Sequence, residues 1–196
     1  DVVAAYSARV EGLEPGWTPL EVQYADYAIW QRTLLGREDD SDSLAAKQVS
    51  FWVNELDGLP DQLDLPADRL RPAVSSFEGG KYRFEIDAGI HRGLVDLARG
   101  RQASLFMVVH AAYAVLLSRL SGSDDSAVGT AVAGRGEKAL DDLIGMFVNT
   151  LVLRTRVDSG VSFEGFLDAV RETDLWAFSH ADVPFERLVE GINPAR

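Results

Sequence analysis

The stretch Ile144–Arg154 limits what this chain can fold into more than any other. From Phe147 onward it reads as a strand, in which successive side chains point to opposite faces. One face carries Phe147, Asn149, Leu151 and Leu153, the other Val148, Thr150, Val152 and Arg154. Both are largely apolar, the pattern of a central strand covered on two sides rather than of an edge strand. Asn149 is the exception, because a buried amide must find hydrogen-bond partners or lose stability. Two readings stand. Asn149 is a satisfied anchor for a neighbouring loop, which the strand pattern by itself favours, or it faces a cavity used by a ligand.

Around this strand the periodicities predict mostly helices. Asp1 is placed to cap a short helix carrying Val2, Val3, Tyr6 and Val10, broken by Gly12, Pro15 and Gly16. A second helix is expected from about Glu21 to Leu35, stopping near Gly36, with Tyr24, Tyr27 and Trp30 spread around it and Asp26 among them as a hydrogen-bonded structural anchor. A third carries Val49, Trp52, Val53 and Leu56 on one stripe and closes at Gly58. Lys81–Ile86 alternates polar and apolar residues strictly and predicts a half-buried strand. Ala88–Arg99 reads as a surface helix with Ile90, Leu94 and Leu97 inward and His91 solvated. Ser104–Leu120 is apolar enough to be a buried core helix, yet falls short of the roughly 20 apolar residues that span a bilayer. Ser126–Ala133 reads as a strand, and Ser162 as the cap of a long helix. In the last helical segment Asp182 is placed as N-cap, Pro184 in the first turn, and Glu186 at the positive helix end. The fold class is α/β, a mixed sheet with helices packed mainly on one face.

Composition narrows the chemistry. A net charge of −12 argues against nucleic acid or an anionic membrane surface as the main partner and fits an acidic cytoplasmic protein. The absence of cysteine excludes a disulfide scaffold, a zinc–thiolate site and a cysteine nucleophile. His110, inside the apolar helix, has no acidic or histidine neighbour at metal-ligand spacing and reads as a hydrogen-bonded core histidine; no metal site is expected. His180 has no nucleophile paired with it in sequence, and no Gly-x-Ser-x-Gly elbow occurs. Gly134-Arg135-Gly136 matches neither dinucleotide nor P-loop spacing.

Three stretches carry a resemblance. Gly145 followed by Phe147-Val148-Asn149-Thr150 and then Arg154 resembles a motif of the condensation domains of nonribosomal peptide synthetases. Tyr24-Ala25-Asp26-Tyr27-Ala28-Ile29-Trp30 is similar to the family's Tyr-x-Asp-Tyr-Ala-x-Trp, and His180-Ala181-Asp182-Val183-Pro184-Phe185-Glu186 to its His-Gln-Asp-x-Pro-Phe-Glu, with alanine in place of glutamine. The three occur in family order, and the similarity extends over essentially the whole chain.

The family's catalytic His-His-x-x-x-Asp-Gly has no counterpart here, since His91, His110 and His180 each stand alone. The resemblance therefore implies that residues 1–196 are the C-terminal lobe of a condensation domain. The N-terminal lobe is expected before Asp1, and Ile192–Arg196 resembles the lead-in to a later motif. It implies one lobe of a two-lobed, chloramphenicol-acetyltransferase-like fold, with a sheet edge and an apolar face exposed. The intact domain would join aminoacyl and peptidyl thioesters borne on the phosphopantetheine arms of donor and acceptor carrier proteins. This half would supply a tunnel wall and docking surface for the carriers and an adjacent adenylation domain, with no cofactor of its own and no catalytic residue. Thr130, Gly134, Arg135 and Asn149 become wall positions, and Tyr24, Asp26, Trp30, His180, Asp182 and Pro184 structural motif residues. The rivals are an inactive condensation-like domain that recruits a tailoring enzyme, an epimerisation-domain relative, and an acyltransferase for a free alcohol or amine.

Overall fold

A computed structural model describes residues 2–60, 62–69, 72 and 74–192, the side chain of Ile192 excepted. The cap expected of Asp1 and the motif lead-in beyond Ile192 lie outside the described residues. Among the described residues seven α-helices and two strands follow one another as α1 (Val2–Val10), α2 (Tyr24–Leu35), α3 (Leu44–Glu55), α4 (Ala88–Gly100), α5 (Leu105–Ser121), β1 (Asp125–Ala133), β2 (Val148–Arg156), α6 (Phe163–Ser179) and α7 (Phe185–Ile192), with a 3-10 turn at Lys138–Leu140 between the strands. The chain divides into two compact units. Asp1–Leu34 and Arg135–Phe147 form the first, Leu35–Gly134 and Val148–Arg196 the second.

Local chemistry sets the helix ends. Ser43, Ser104 and Ser162 adopt extended backbone and turn their hydroxyls to accept from Ala46 N, Met107 N and Gly165 N. Asp87 accepts from both Gly89 N and Ile90 N. Each such cap contributes about 1 kcal/mol. Gly122 closes α5 in the left-handed region at φ 72°, where a residue bearing a Cβ is strained.

In the first unit Tyr27, Leu140, Leu143 and Phe147 bury one another, with Val22 against them. Helix α1 buries none of its residues. The second unit has two cores. Met107, Val108, Ala111 and Ala114 of α5 pack against Ala98 of α4 and against Phe166, Leu167 and Val170 of α6. Trp52 of α3 and Leu56 just past its end meet Leu151 and Leu153 of β2, Ala177 of α6 and Leu188 of α7. Fully burying one such leucine stabilises by about 1.5–3 kcal/mol, so these contacts fix the helices on the sheet.

The α/β class holds, with the sheet reduced among the described residues to β1 and β2, paired antiparallel from Asp125 opposite Arg156 to Ala133 opposite Val148. The two-sided burial expected of the organising strand holds in its second half, where Arg154 is buried and Val152 half-buried on the face opposite Leu151 and Leu153, and fails at its start. Leu151, Leu153 and Thr155 are buried, whereas Val148 is 61% exposed, and Phe147 lies before the strand in the first unit. The strand expected at Lys81–Ile86 is not there. The segment joins no ladder among the described residues, and Tyr82, Phe84 and Ile86 are exposed. Alternation states which side chains would face a core, but a strand exists only where a partner takes its N–H and C=O groups.

Helix α5 is likewise a half-buried rather than a fully buried helix. Phe106, Val109, Tyr113, Leu116 and Leu120 share an exposed stripe. Ile90 of α4 also points outward, and Leu94, Leu97 and Ala98 are the residues of that helix that reach the core. No single helix among the described residues is long and apolar enough to cross a membrane.

Candidate functional site

The turn between α6 and α7 is held by three side chains from distant elements. The Asn149 amide uses its full hydrogen-bonding capacity there. Its Nδ2 donates to Ala181 O at 2.9 Å and Val183 O at 2.8 Å. Its Oδ1 accepts from Phe185 N at 3.1 Å and from Thr150 N at 2.9 Å. Gln48, 2% exposed on α3, donates through Nε2 to Asp182 Oδ2 at 2.6 Å and accepts through Oε1 from Asp182 N and Val183 N. Trp52 Nε1 donates to His180 O at 2.8 Å. Two of the three motifs are thereby tied together, and Asn149 fits the anchor reading with no polar atom left for a ligand.

Asp182 does not cap α7. Its carboxylate is taken by Gln48, the helix begins after Pro184, and the first helical N–H, that of Phe185, is accepted by Asn149 from β2. A side-chain oxygen 36 residues away does the capping that local spacing assigns to Asp182. His180 closes α6, its ring stacked on Phe51 at 3.8 Å between centroids and its Nδ1 donating to Trp176 O at 2.8 Å. Among the described residues no hydroxyl other than that of neighbouring Ser179 lies within hydrogen-bond distance of it.

In the first unit the other motif meets the start of the organising stretch. Tyr24 Oη donates to Met146 O at 2.9 Å, and its ring meets Phe147 edge-on at 5.4 Å. A Cβ on Gly145 would overlap the Tyr24 ring carbons, which is why glycine stands there. Tyr27 packs between Phe147 and Trp30, and Asp26 Oδ2 accepts from Gln23 N at 2.8 Å, tying the start of α2. Arg135 lies with its guanidinium 4.0 Å above the Phe147 ring and donates to Leu140 O and to Leu143 O. It holds the 3-10 turn through charge-assisted bonds to carbonyls.

Of the four expected wall positions, Arg135 lies in the first unit and Thr130, Gly134 and Asn149 in the second. Thr130 is half-buried opposite Leu151, one strand-pair step along from Val132 opposite Asn149, so Thr130 and Asn149 share a face of the sheet. Gly134 is exposed just past the end of β1.

Two polar constellations were not visible in local pattern. Arg154, its side chain 4% exposed, makes a bidentate pair with Asp125 (Nε to Oδ1 2.9 Å, Nη2 to Oδ2 2.6 Å) and donates through Nη1 to Glu55 O and Asp57 O. That guanidinium holds the Asp125 carboxyl below the usual carboxylate range, and the carboxylate in turn raises Arg154 above its own. His110 is the core histidine expected, its Nδ1 donating to Asp174 Oδ1 at 3.0 Å, with the two side chains 4% and 0% exposed. Its Nε2 is buried with no partner among the described residues, so no nucleophile is poised there. No three His, Asp or Glu side chains among the described residues converge as a metal site.

Gln48 and Asp125 are the residues sequence reasoning missed, while Trp52 was read only as part of an apolar stripe and Gly145 only as a motif residue. A glutamine one helical turn before Trp52, on the same face as Ala45 and Trp52, was the one available signal for the first of them.

Among the described residues the arrangement is a scaffold for the turn and the strand: polar side chains are spent largely on backbone groups, and no nucleophile, base and orienting group converge. Comparison with known proteins places that scaffold. The family model described as "Condensation domain" matches residues 1–196. The chain is 52% identical over all 196 residues to a dimodular nonribosomal peptide synthase of Bacillus subtilis (strain 168), of which it spans 8%. It is 47% identical over its full length to an isonitrile lipopeptide synthase of Mycobacterium tuberculosis, again spanning 8% of that protein. Among solved structures, 98% of the chain superposes on 43% of the X-domain from teicoplanin biosynthesis, with a TM-score of 0.88 and 36% identity. A four-domain nonribosomal peptide synthetase bound to AMP and glycine matches 88% of the chain and 13% of its own, with a TM-score of 0.80 and 31% identity. The chain belongs to the condensation-domain family found in nonribosomal peptide synthetases.

Proposed function

We propose that this chain is the C-terminal lobe of a condensation domain that forms the amide bond between two carrier-bound thioesters. In that reaction the acceptor's amine attacks the donor's thioester carbonyl. The C–S bond breaks, the donor's carrier thiol is released with the proton the amine gives up, and the donor's chain, now on the acceptor's carrier, is one unit longer. The observation that carries the reading is the family match along every residue of the chain, together with an X-domain matched over 98% of this chain but only 43% of its own length. The geometry agrees. Holding two tethered reactants in register is mainly a proximity effect, and a lobe whose polar side chains are spent on its own backbone serves that purpose without proton chemistry.

On this reading Thr130 and Gly134 offer small surfaces to the tunnel, and Asn149 contributes through the backbone that it fastens. Arg135 is carried as a wall position by resemblance alone. Phosphopantetheine arms of donor and acceptor carrier proteins would bring the substrates. An N-terminal lobe would bring the catalytic histidines, an adenylation domain would dock alongside, and the assembly would work in the cytoplasm.

A second reading is favoured by one observation, the match at TM-score 0.89 to an X-domain in complex with OxyB. It makes this a condensation-like platform that recruits a tailoring enzyme. The two separate in one experiment. The synthetase containing this chain is given aminoacyl-loaded donor and acceptor carriers, and the carriers are read by intact mass. A dipeptidyl mass on the acceptor supports condensation. No transfer from carriers shown to be fully loaded refutes it and leaves the platform.

A further inference from the structure

We propose that the groove between α3 and α6 receives an arginine side chain presented by another polypeptide. The groove encloses about 470 Å3 above Val152 of β2, with Phe51 and Glu55 on the α3 side and Glu172, Trp176 and His180 on the α6 side. Its walls are flat and aromatic. His180 lies parallel on Phe51, and Trp176, 58% exposed, meets His180 at 6.0 Å and 38°. A tryptophan this exposed beside a stacked pair offers the faces over which a cation is attracted, and a planar guanidinium can stack there as an ammonium cannot.

The charge agrees. Glu55 is half-buried, and its carboxylate makes no hydrogen bond or ion pair among the described residues. The cation acting on it, Arg154, is already spent on Asp125 and two carbonyls. Glu172 adds a second carboxylate, shared with Arg171 at 2.6 Å. A half-buried carboxylate that makes no hydrogen bond or ion pair, set beside aromatic faces, is complementary to a guanidinium, which satisfies the carboxylate with two parallel bonds while covering the rings. The groove is open along the surface, which suits a side chain reaching in from a bound chain rather than an enclosed free cation.

The test uses the 15N-labelled chain, whose four tryptophans give four indole N–H signals. The probe is acetyl-Gly-Arg-Gly-amide, compared with the same peptide carrying citrulline or lysine. The arginine peptide should move the Trp176 and Trp52 signals with a Kd on the order of 10 mM, about tenfold tighter than the citrulline peptide and several-fold tighter than the lysine peptide. Glu55→Gln should weaken binding about three- to tenfold, and Trp176→Ala about threefold read on Trp52, with binding falling as salt rises. Equal binding of arginine and citrulline, equal binding of arginine and lysine, no effect of Glu55→Gln, or shifts confined to Trp17 and Trp30 would each overturn the proposal. Should either variant unfold, the peptide pairs on the unmutated chain decide the matter.

Discussion

Replacing Asn149 tests the fastening of the α6–α7 turn most sharply. In Asn149→Ala two carbonyls, Ala181 O and Val183 O, lose their donor, and the N–H groups of Thr150 and Phe185 lose their acceptor. The site is partly buried, so water restores some of these bonds. At about 0.5–1 kcal/mol for each of the four, the loss is about 2–4 kcal/mol. With a urea slope of about 2 kcal/mol/M, a loss of 3 kcal/mol lowers the midpoint by about 1.5 M. Asn149→Asp separates hydrogen bonding from shape. It keeps the volume and the acceptor but puts a carboxylate oxygen where Nδ2 now lies 2.9 and 2.8 Å from two carbonyls. At neutral pH it should be less stable than Asn149→Ala, and it should recover in acid as the new carboxyl takes up a proton and becomes a donor. Urea unfolding followed by tryptophan fluorescence, with hydrogen exchange at Phe185 and Val183, measures both. A midpoint shift under about 0.3 M for the alanine variant, or an aspartate variant more stable than it at pH 7, would refute the reasoning.

Three further outcomes follow from the same contacts. Gly145→Ala drives a Cβ into the Tyr24 ring and should cost about 1–3 kcal/mol, most of it recovered when Tyr24 is also shortened to leucine in a double-mutant cycle. Asp125→Asn leaves Arg154 buried without its anion and should cost about 2–4 kcal/mol at pH 7 by thermal or urea unfolding. Because Arg154 depresses the Asp125 carboxyl in the folded state, the pair's stabilisation is present above the unfolded value near ~3.9 and lost as pH falls through the folded one. The variant should therefore show a flatter loss of stability on acidification than the parent. Gln48→Glu sets a carboxylate against Asp182, now 2.6 Å from Nε2, and should destabilise increasingly as pH rises through the carboxylate range, read as a falling Tm.

Much of the fold was legible because it rests on neighbours in sequence. Ser104 and Ser162 announce helices they do cap, and Gly36 and Gly58 adopt positive φ where the helical patterns stop. What failed depends on partners far along the chain. Lys81–Ile86 has the alternation of a strand but no ladder among the described residues to join. Asp182 has the position of an N-cap, but Gln48, 134 residues away, takes its carboxylate while Asn149 takes the helix N–H. The bidentate pairing of Arg154 with Asp125 spans 29 residues and leaves no local trace. The site was legible as motifs, not as mechanics. Gly145 reads only as the first residue of a motif until the Tyr24 ring is seen against it, and Asn149 reads as either anchor or ligand contact until its four partners are counted.

The claim that this chain positions substrates and leaves proton transfer to other residues is tested most directly by giving the 196-residue chain, shown folded by its dispersed indole signals, both loaded carriers. The acceptor is then followed by intact mass over many synthetase turnover times. The account predicts no dipeptidyl acceptor above the protein-free control, while the synthetase that contains the chain forms it. Multiple turnovers by the chain alone would contradict the account, because they would require a catalytic group among residues assigned here to holding the scaffold.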